Sequence, residues 1–441
     1  LGAFRDTTPE VAARATGIDA ATIRRIAREF ATAPSAVCYG RVGTTLQAFG
    51  TLNQWLIQLV NIVTGNLDRE GGAMPTHPLI PVTGPGTRAG HYAQWKSRVS
   101  GLPESSGELP VAVLAEEIET PGNGQIRGLV TTCGNPVLST PNGRRLDAAL
   151  SSLEFMVAID IYLNETTRHA DLILPPTSSL NHDHYDLVFN AFAVRNVARF
   201  NAGMWPRPED ELYDWEIFRE LAARLAIKLG RDVRPGLPTA VLIEDMIAKA
   251  AAVPGVTMAA LRDAPHGLDL GPLRPSLFER LETADGKIDC APAPLLADVE
   301  RFRSRLAEAD RPPGSFTLIG RRHVRSNNSW MHNSHRLIKG KSRDQLMMHP
   351  EDLASLGLAD GQRVEVRAMA GSVRIEVQAT DSVMRGVVSL PHGFGHNRAG
   401  TRLGLAEENA GVSYNDLTDG AVDAVSGNAA LNGVTVQVAA V

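Results

Sequence analysis

The segment that most restricts what this chain can fold into begins at Ile126. There "IRGLVTT" reads as a short buried strand, "CGNP" as a tight turn, "NGRRLDAALSSL" as a helix, "FMVAID" as a second strand and "ADLILPP" as a third apolar run. Strand, turn, helix and strand at this spacing make the βαβ unit of a doubly wound parallel sheet, because parallel neighbours need a crossover long enough to hold a helix. Such sheets bind ligands in the crevice outside the carboxyl ends of their strands. Here those ends are Thr132 to Pro136 and Asp160 to Thr166. The stretch "LNETTRHADLILPPTSSLNHDHYD" then runs on from the mouth of that crevice and gathers His169, His182, Asp183, His184 and Asp186.

On either side of this unit the pattern changes. "TGIDAATIRRIAREFATAP" predicts an amphipathic helix capped by Asp19, with Ile23, Ile26, Ala27 and Phe30 as its stripe and Pro34 as its stop. "SAVCYG" predicts a strand, and an apolar helix from Leu46 to Val63 ends at Gly65. Residues 1–75 therefore read as the end of one α/β lobe. Between Gly71 and Gly107 the chain is rich in Gly, Pro, Ser and Thr and is expected to carry no regular elements. "YDWEIFRELAARLAIKL" is helical, and Pro-rich segments at Arg234 to Pro238 and Ala291 to Pro294 flank a further helical region, which completes a second α/β lobe over 76–310. Beyond Arg311, "SFTLIG", "QRVEVRAM", "SVRIEVQA", "GVVSLP" and "VTVQVAAV" alternate apolar and polar residues between turn signals such as Asp360-Gly361 and Ala370-Gly371. Residues 311–441 thus predict a separate, small closed β-barrel.

A chain of 441 residues with 43% hydrophobic and 21% charged residues is that of a soluble globular protein of two or three domains. Its net charge of -5 gives no reason to expect nucleic acid. The longest apolar run, "WLIQLVNIV", is broken by Gln58 and Asn61 and falls short of the roughly 20 residues a membrane helix needs. Cys38, Cys133 and Cys290 are far apart and make no CxxC pair or iron-sulfur run, so a reducing, cytoplasmic setting is expected. The sequence starts at Leu1 with no signal-peptide pattern, as a cut or cropped chain would.

Several residues are candidates for chemistry. His182 and His184 would share a face on a strand and, with Asp183 or Asp186, suggest a metal site. A metal also needs further ligands and groups to orient them, and a polar loop lining the crevice is the favoured alternative. Gly134, Asn135 and Pro136 form the turn after a buried strand, where glycine lets a phosphate approach and an amide both donates and accepts; the same residues also make ordinary tight turns. Asp160 ends the next strand, fit either for a ribose hydroxyl or base edge or for capping its own loop, and Asp171 reads as a partner for local backbone. In the β domain, "GRRHVRSNNSWMHNSHRL" gathers Arg321, Arg322, His323, Arg325, His332, His335 and Arg336. That set suits an anionic, flat, hydrogen-bond-rich ligand such as a pterin or nucleotide phosphate, with a solvated loop as the alternative. No Walker loop, GxGxxG fingerprint or nucleophile with its base is present, so no catalytic residue and no metal ligand is assigned.

"TGNLDREGGAM", "TTCGNPVLSTPNG", "AIDIYLNETTRHADLILPP", "MMHPEDLASLGLADGQRVEV" and "LPHGFGH" with "NDLTDG" occur in an order that resembles the molybdopterin oxidoreductases of the dimethyl sulfoxide reductase family, over essentially the whole chain. The resemblance implies two α/β lobes and a C-terminal barrel, and a molybdenum or tungsten ion held by the dithiolenes of two pterin guanine dinucleotides. It implies that Asn135 and Asp160 contact the guanosine part of one cofactor, that Gly134 is a cofactor-binding residue, that Asp214 is the family's acid at the start of its helix, and that Arg321, His323 and Asn327 lie along pterins and phosphates. His392 and Asn415 are implied as contacts from the barrel. A small-molecule substrate and an electron-transfer partner follow from the same likeness.

Departures from the family pattern are equally specific. The N-terminal portion with a cysteine-bound 4Fe-4S cluster and the protein ligand to the metal has no counterpart in this sequence, so the resemblance implies the C-terminal part of a larger enzyme, inactive by itself. The run expected after Gly71 in formate dehydrogenases is replaced by "MPTHPLIPVTGPGTRAG", and "NHDHYDLVF" stands where many members have "ExxGT", which makes His184 a candidate substitute contact. An acetylene hydratase-like lyase and a metal-free scaffold subunit are the two rival expectations.

Overall fold

The computed structural model describes residues 2–83, 87, 90–233, 239–249, 253, 255–307 and 312–441; the Pro-rich segment 234–238 lies outside them. Ala20–Thr32 (α1) starts where Asp19 accepts a hydrogen bond from Thr22 N at 2.8 Å. Its apolar stripe is only partly covered: the helix contains no buried residue, Ile23 and Phe30 are half-buried, and Ile26 is 52% exposed. Residues 35–40 join no strand, contrary to expectation. Asn61, fully buried, takes the place of a partner strand: its amide accepts from Cys38 N at 2.8 Å and donates to Cys38 O at 2.9 Å. The apolar helix is Gly50–Val63 (α2), shorter than predicted, because the chain breaks after a short helix at Val42–Thr45. Gly50 is required at that break, as a Cβ there would lie 2.1 Å from the Thr45 carbonyl oxygen.

Among its described residues, the Gly- and Pro-rich stretch holds a regular element that sequence reasoning missed, a hairpin pairing Tyr92–Lys96 with Pro103–Ser105. Gly101, at φ +69°, turns the chain between them.

Gly128–Thr132 (β1), Phe155–Ile159 (β2) and Leu172–Ile173 (β3) form the parallel sheet, with Thr132 opposite Ile159. Pro136–Ser139 (α3) and Gly143–Leu150 (α4) make the crossover from β1 to β2. Val137, Leu146, Leu150 and Met156, each 3% exposed or less, pack this crossover onto the sheet, at roughly 1.5–3 kcal/mol per buried side chain. Asp214–Lys228 (α5) follows as predicted, with Glu216 reaching back to Tyr213 N at 3.0 Å as its capping box. The Pro-rich residues 291–294 open a helix, Ala293–Ala307.

The C-terminal part closes into the expected barrel. Its strands are Ser315–Arg321 (β4), Leu346–Met348 (β5), Arg363–Arg367 (β6), Ser372–Ala379 (β7), Val387–Pro391 (β8) and Val434–Ala440 (β9), in the order β4-β8-β5-β7-β6-β9. Alternation puts Leu318, Val364, Val366, Val388 and Leu390 inside with no exposure, which is why the period-2 pattern was legible. Strand β5 is too short to show that period. Residues 2–75 contribute helices that lean on this barrel: Leu46 joins its core, and Thr51 donates to Asp423 at 2.7 Å.

The barrel sits over the carboxyl end of the sheet. Arg398 bonds Asp147 of α4 at 2.8 Å and Asp416 at 2.9 Å, while Asn415 donates to the Leu138 carbonyl at 2.6 Å. Arg402 N donates to Leu163 O at 2.9 Å, and Arg168 to Ala399 O at 2.6 Å. Among the described residues no helix is long and apolar enough to cross a membrane.

Candidate functional site

The seam between sheet and barrel is built first by the turn after β1. Cys133, not Gly134, takes the left-handed conformation at φ +48°, and a Cβ on Gly134 would make only ordinary contact, 3.4 Å from the Thr132 carbonyl oxygen. Asn135 is turned inward. Its Oδ1 accepts from Thr166 Oγ1 at 2.8 Å and its Nδ2 donates to Glu165 Oε2 at 2.6 Å, while Thr166 Oγ1 accepts from Val137 N at 3.1 Å.

The loop after β2 folds back on itself to reach this turn. Asp160 Oδ1 accepts from Ile161 N at 2.6 Å and Tyr162 N at 3.2 Å, and Asn164 Nδ2 reaches Oδ2 at 3.3 Å. Burial pushes the Asp160 carboxyl up from its ordinary value against those three bonds. Asn164 Oδ1 in turn accepts from Thr166 N and Thr167 N, both at 2.9 Å. Asn164 through Thr167 are buried as a result.

From the barrel side, the loop after β8 meets this turn. His396 Nδ1 bonds Glu165 Oε1 at 2.9 Å, and His396 Nε2 bonds His332 Nδ1 at 2.9 Å. The Glu165 and His396 side chains are 0% and 1% exposed. Burial raises the Glu165 carboxyl, but the His396 bond and charge and the Asn135 amide outweigh it and hold the carboxyl below its ordinary value. Burial, with His396 and Arg343 nearby, takes His332 down to about 4, so that ring is neutral at pH 7. Its Nε2 closes no hydrogen bond. Two glycines permit the packing: a Cβ on Gly393 (φ +94°) would strike Asn328 O at 2.1 Å, and one on Gly395 (φ +116°) would lie 2.8 Å from the Ser413 side chain.

Each predicted site residue has a definite place. Gly134, Asn135 and Asp160 lie at the carboxyl end of the sheet. Asp214 caps Trp215 N at 2.8 Å at the start of α5. Arg321 spends three N–H groups on the carbonyls of Ser389, Arg343 and Gln345, at 2.5, 3.0 and 2.6 Å, and burial brings its pKa to about 10. That makes it a brace for the barrel rim. His323 is exposed and accepts from Arg325 N at 3.1 Å. Asn327 and Asn328 both have positive φ, +39° and +62°, in the loop that meets Gly393. His392 is buried, and that desolvation, with the nearby Arg322 charge adding to it, takes the ring down to about 4. Asn415, fully buried, ties the barrel to α3. Asp171 accepts from Met156 N at 2.8 Å, as expected for a backbone partner.

The histidine-rich stretch is dispersed. His169 bonds Asp147 at 2.6 Å, Asp183 accepts from Gly203 N at 3.0 Å, and Asp186 caps Phe189 N at 2.7 Å. His184 pairs with Asp186 at 3.6 Å on a ribbon beside Asn201. Among the described residues no group of three or more His, Cys, Asp or Glu side chains could hold a metal. Sequence reasoning missed Glu165 and His396 although both lie in quoted motifs; the glycines of "HGFGH" were the available signal.

Comparison with known proteins agrees with this geometry. Residues 21–224 match the molybdopterin oxidoreductase family model and residues 316–435 the molydopterin dinucleotide binding domain. The chain belongs to the molybdopterin oxidoreductases of the dimethyl sulfoxide reductase family. Among relatives in that family, a menaquinone reductase molybdopterin-binding-like subunit from Nitratidesulfovibrio vulgaris is 25% identical, covering 98% of this chain and 57% of its own length. The F420-dependent formate dehydrogenase 2 subunit alpha of Methanococcus maripaludis is 26% identical, covering 98% of this chain and 62% of its own. The chain thus spans less than two thirds of either relative. Acetylene hydratase from Pelobacter acetylenicus shares the fold, with a TM-score of 0.73 over 98% of this chain and 64% of that one, at 16% identity.

Proposed function

We propose that this chain forms the seat for pterin guanine dinucleotide in a molybdenum or tungsten oxidoreductase that acts on a small substrate and exchanges electrons with a partner protein. The observation that carries this proposal is the seam itself: the carboxyl end of a parallel sheet and the arginine- and histidine-bearing loop of the barrel are held face to face by Asn135, Glu165, His396 and His332. Two buried polar atoms without a hydrogen-bond partner, His332 Nε2 and Ser413 Oγ, flank the "HGFGH" loop and suit a ligand rich in hydrogen-bonding atoms.

Bound there, the group supplies a metal whose oxidation state changes as an oxygen atom, or a proton and electrons, moves to or from the substrate. The chain's own residues bind and orient. Asn135 has one amide N–H left for a guanosine edge, and Asp160 offers a carboxylate at the strand end. Arg322, His323 and Asn327 are exposed on the facing loop and suit phosphates. Arg321 and Asn415 hold the rim and the seam in place behind them.

A scaffold without metal is the second reading, favoured by the 98% coverage of a relative named as molybdopterin-binding-like. One preparation of the full-length protein separates them. Guanine nucleotide and molybdenum or tungsten released in fixed ratio, with electron transfer to a dye, supports the oxidoreductase. Metal and nucleotide without dye reduction supports a lyase, and neither metal nor nucleotide supports the scaffold.

A further inference from the structure

The parallel sheet stops short on two sides. Its order is β1-β2-β3, so no described residue pairs with the outer edge of β1. Cys133 N donates to Ile159 O at 3.0 Å, and main-chain groups alternate sides along a strand. Leu129 and Thr131 therefore face β2, while Gly128, Val130 and Thr132 turn their N–H and C=O groups outward. All three are exposed. Natural edges are guarded by charge, proline or a bulge, and "GLVTT" carries none of them. The two faces of the sheet also differ. Leu129 and Met156 pack against the α3–α4 crossover on one face. By register, Val130, Phe155 and Leu172 share the other face with Val157, and they are 51%, 53% and 45% exposed.

Parallel sheets occur almost only with both faces covered, and an open row of N–H and C=O groups is a template for another strand. We propose that a segment of the longer protein outside these 441 residues completes the sheet, with one strand paired along the outer edge of β1 and an apolar helix across Val130, Phe155 and Leu172. Length supports that occupant. The chain covers 57% of the menaquinone reductase subunit and 62% of the formate dehydrogenase subunit, so both relatives carry further chain. A second copy of this chain fits less well, because a two-fold pairing of β1 with its counterpart covers the edge but leaves Phe155 on β2 and Leu172 on β3 bare. A strand running beside β1 in the same direction ends level with the Cys133–Pro136 turn. The added segment then borders the crevice at the carboxyl end of the sheet, whichever ligand that crevice holds.

Residue-resolved hydrogen exchange of the full-length protein tests this. The Leu129 and Thr131 amides face β2 and serve as internal references that exchange slowly in either case. The Val130 and Thr132 amides are expected to exchange as slowly as those references, roughly 100-fold or more below the rate of an unprotected amide, at every protein concentration. Exchange of Val130 and Thr132 at the unprotected rate, with Leu129 and Thr131 protected, overturns the proposal. Protection that disappears on dilution, as light scattering shows the protein becoming monomeric, assigns the edge to a second copy and overturns it as well. Single cysteines read the face separately. Phe155→Cys and Leu172→Cys in the full-length protein are expected to resist a maleimide until the protein is unfolded, scored peptide by peptide. Prompt labelling of both in the native state overturns the covering helix, and a variant that fails to fold leaves the exchange of the parent protein to decide.

Discussion

The histidines at 182 and 184 and those at 332 and 396 are held by opposite means. The first two are close neighbours on a surface ribbon, where His182 lies edge-on to Tyr213 and the His184 side chain is 61% exposed beside Asp186. The second pair comes from two barrel loops and meets a glutamate from the sheet, with every member of the chain buried. Density along the sequence made the first pair conspicuous. Desolvation makes the second pair consequential, because a buried carboxylate and imidazole must satisfy each other or destabilise the fold.

That contrast breaks most sharply at Glu165. Glu165→Ala leaves His396 Nδ1 and Asn135 Nδ2 without an acceptor inside the seam, and a loss of about 3–5 kcal/mol is expected in chemical denaturation of the full-length protein. A loss below about 1 kcal/mol contradicts the importance given to the chain. Asp344 sharpens it from the other side. Burial raises its carboxyl to about 6 from 3.8, with the Val412 main chain and Arg321 only partly opposing. The folded state then holds the proton more tightly than the unfolded one, so this group's contribution is greatest below pH 3.8 and is lost as pH rises through 6. Asp344→Asn is expected to stabilise the protein by about 2 kcal/mol at pH 8 and by little at pH 3.5, compared by denaturant midpoints.

Asp147 follows the opposite sign. Burial lifts it, but His169, Arg168 and Arg398 bring it down to about 2. Its contribution is present above pH 3.8 and fades as pH falls toward 2. Asp147→Asn should cost about 1–2 kcal/mol at pH 7 after solvent screening, measured the same way, and should open the seam without touching the sheet. The smallest effect belongs to the conspicuous cluster: His182→Ala with His184→Ala should stay within about 0.5 kcal/mol per site, and leave nucleotide content unchanged.

What the sequence made legible was whatever is local. The βαβ unit from Ile126 and the period-2 strands of the barrel are patterns within about ten residues, and Asn135 and Asp160 follow from being at strand ends. The Glu165–His396 and His332–His396 bonds join residues 231 and 64 positions apart, and no spacing rule reaches that far. Residues 35–40 show the converse limit, since their apolar pattern fits a strand while Asn61 supplies the main-chain partner instead. Arg321 and Asn415 were legible as polar residues in the right place, but their partners turned out to be carbonyls of the fold itself.

Hydrogen exchange of the full-length protein, with and without its pterin cofactor, tests the seam most directly. Cofactor is expected to protect the amides of residues 133–136, 160–167 and 322–332 together, and to leave 182–186 unchanged. Protection confined to 182–204, or none on either side of the seam, would contradict the placement of the site between sheet and barrel.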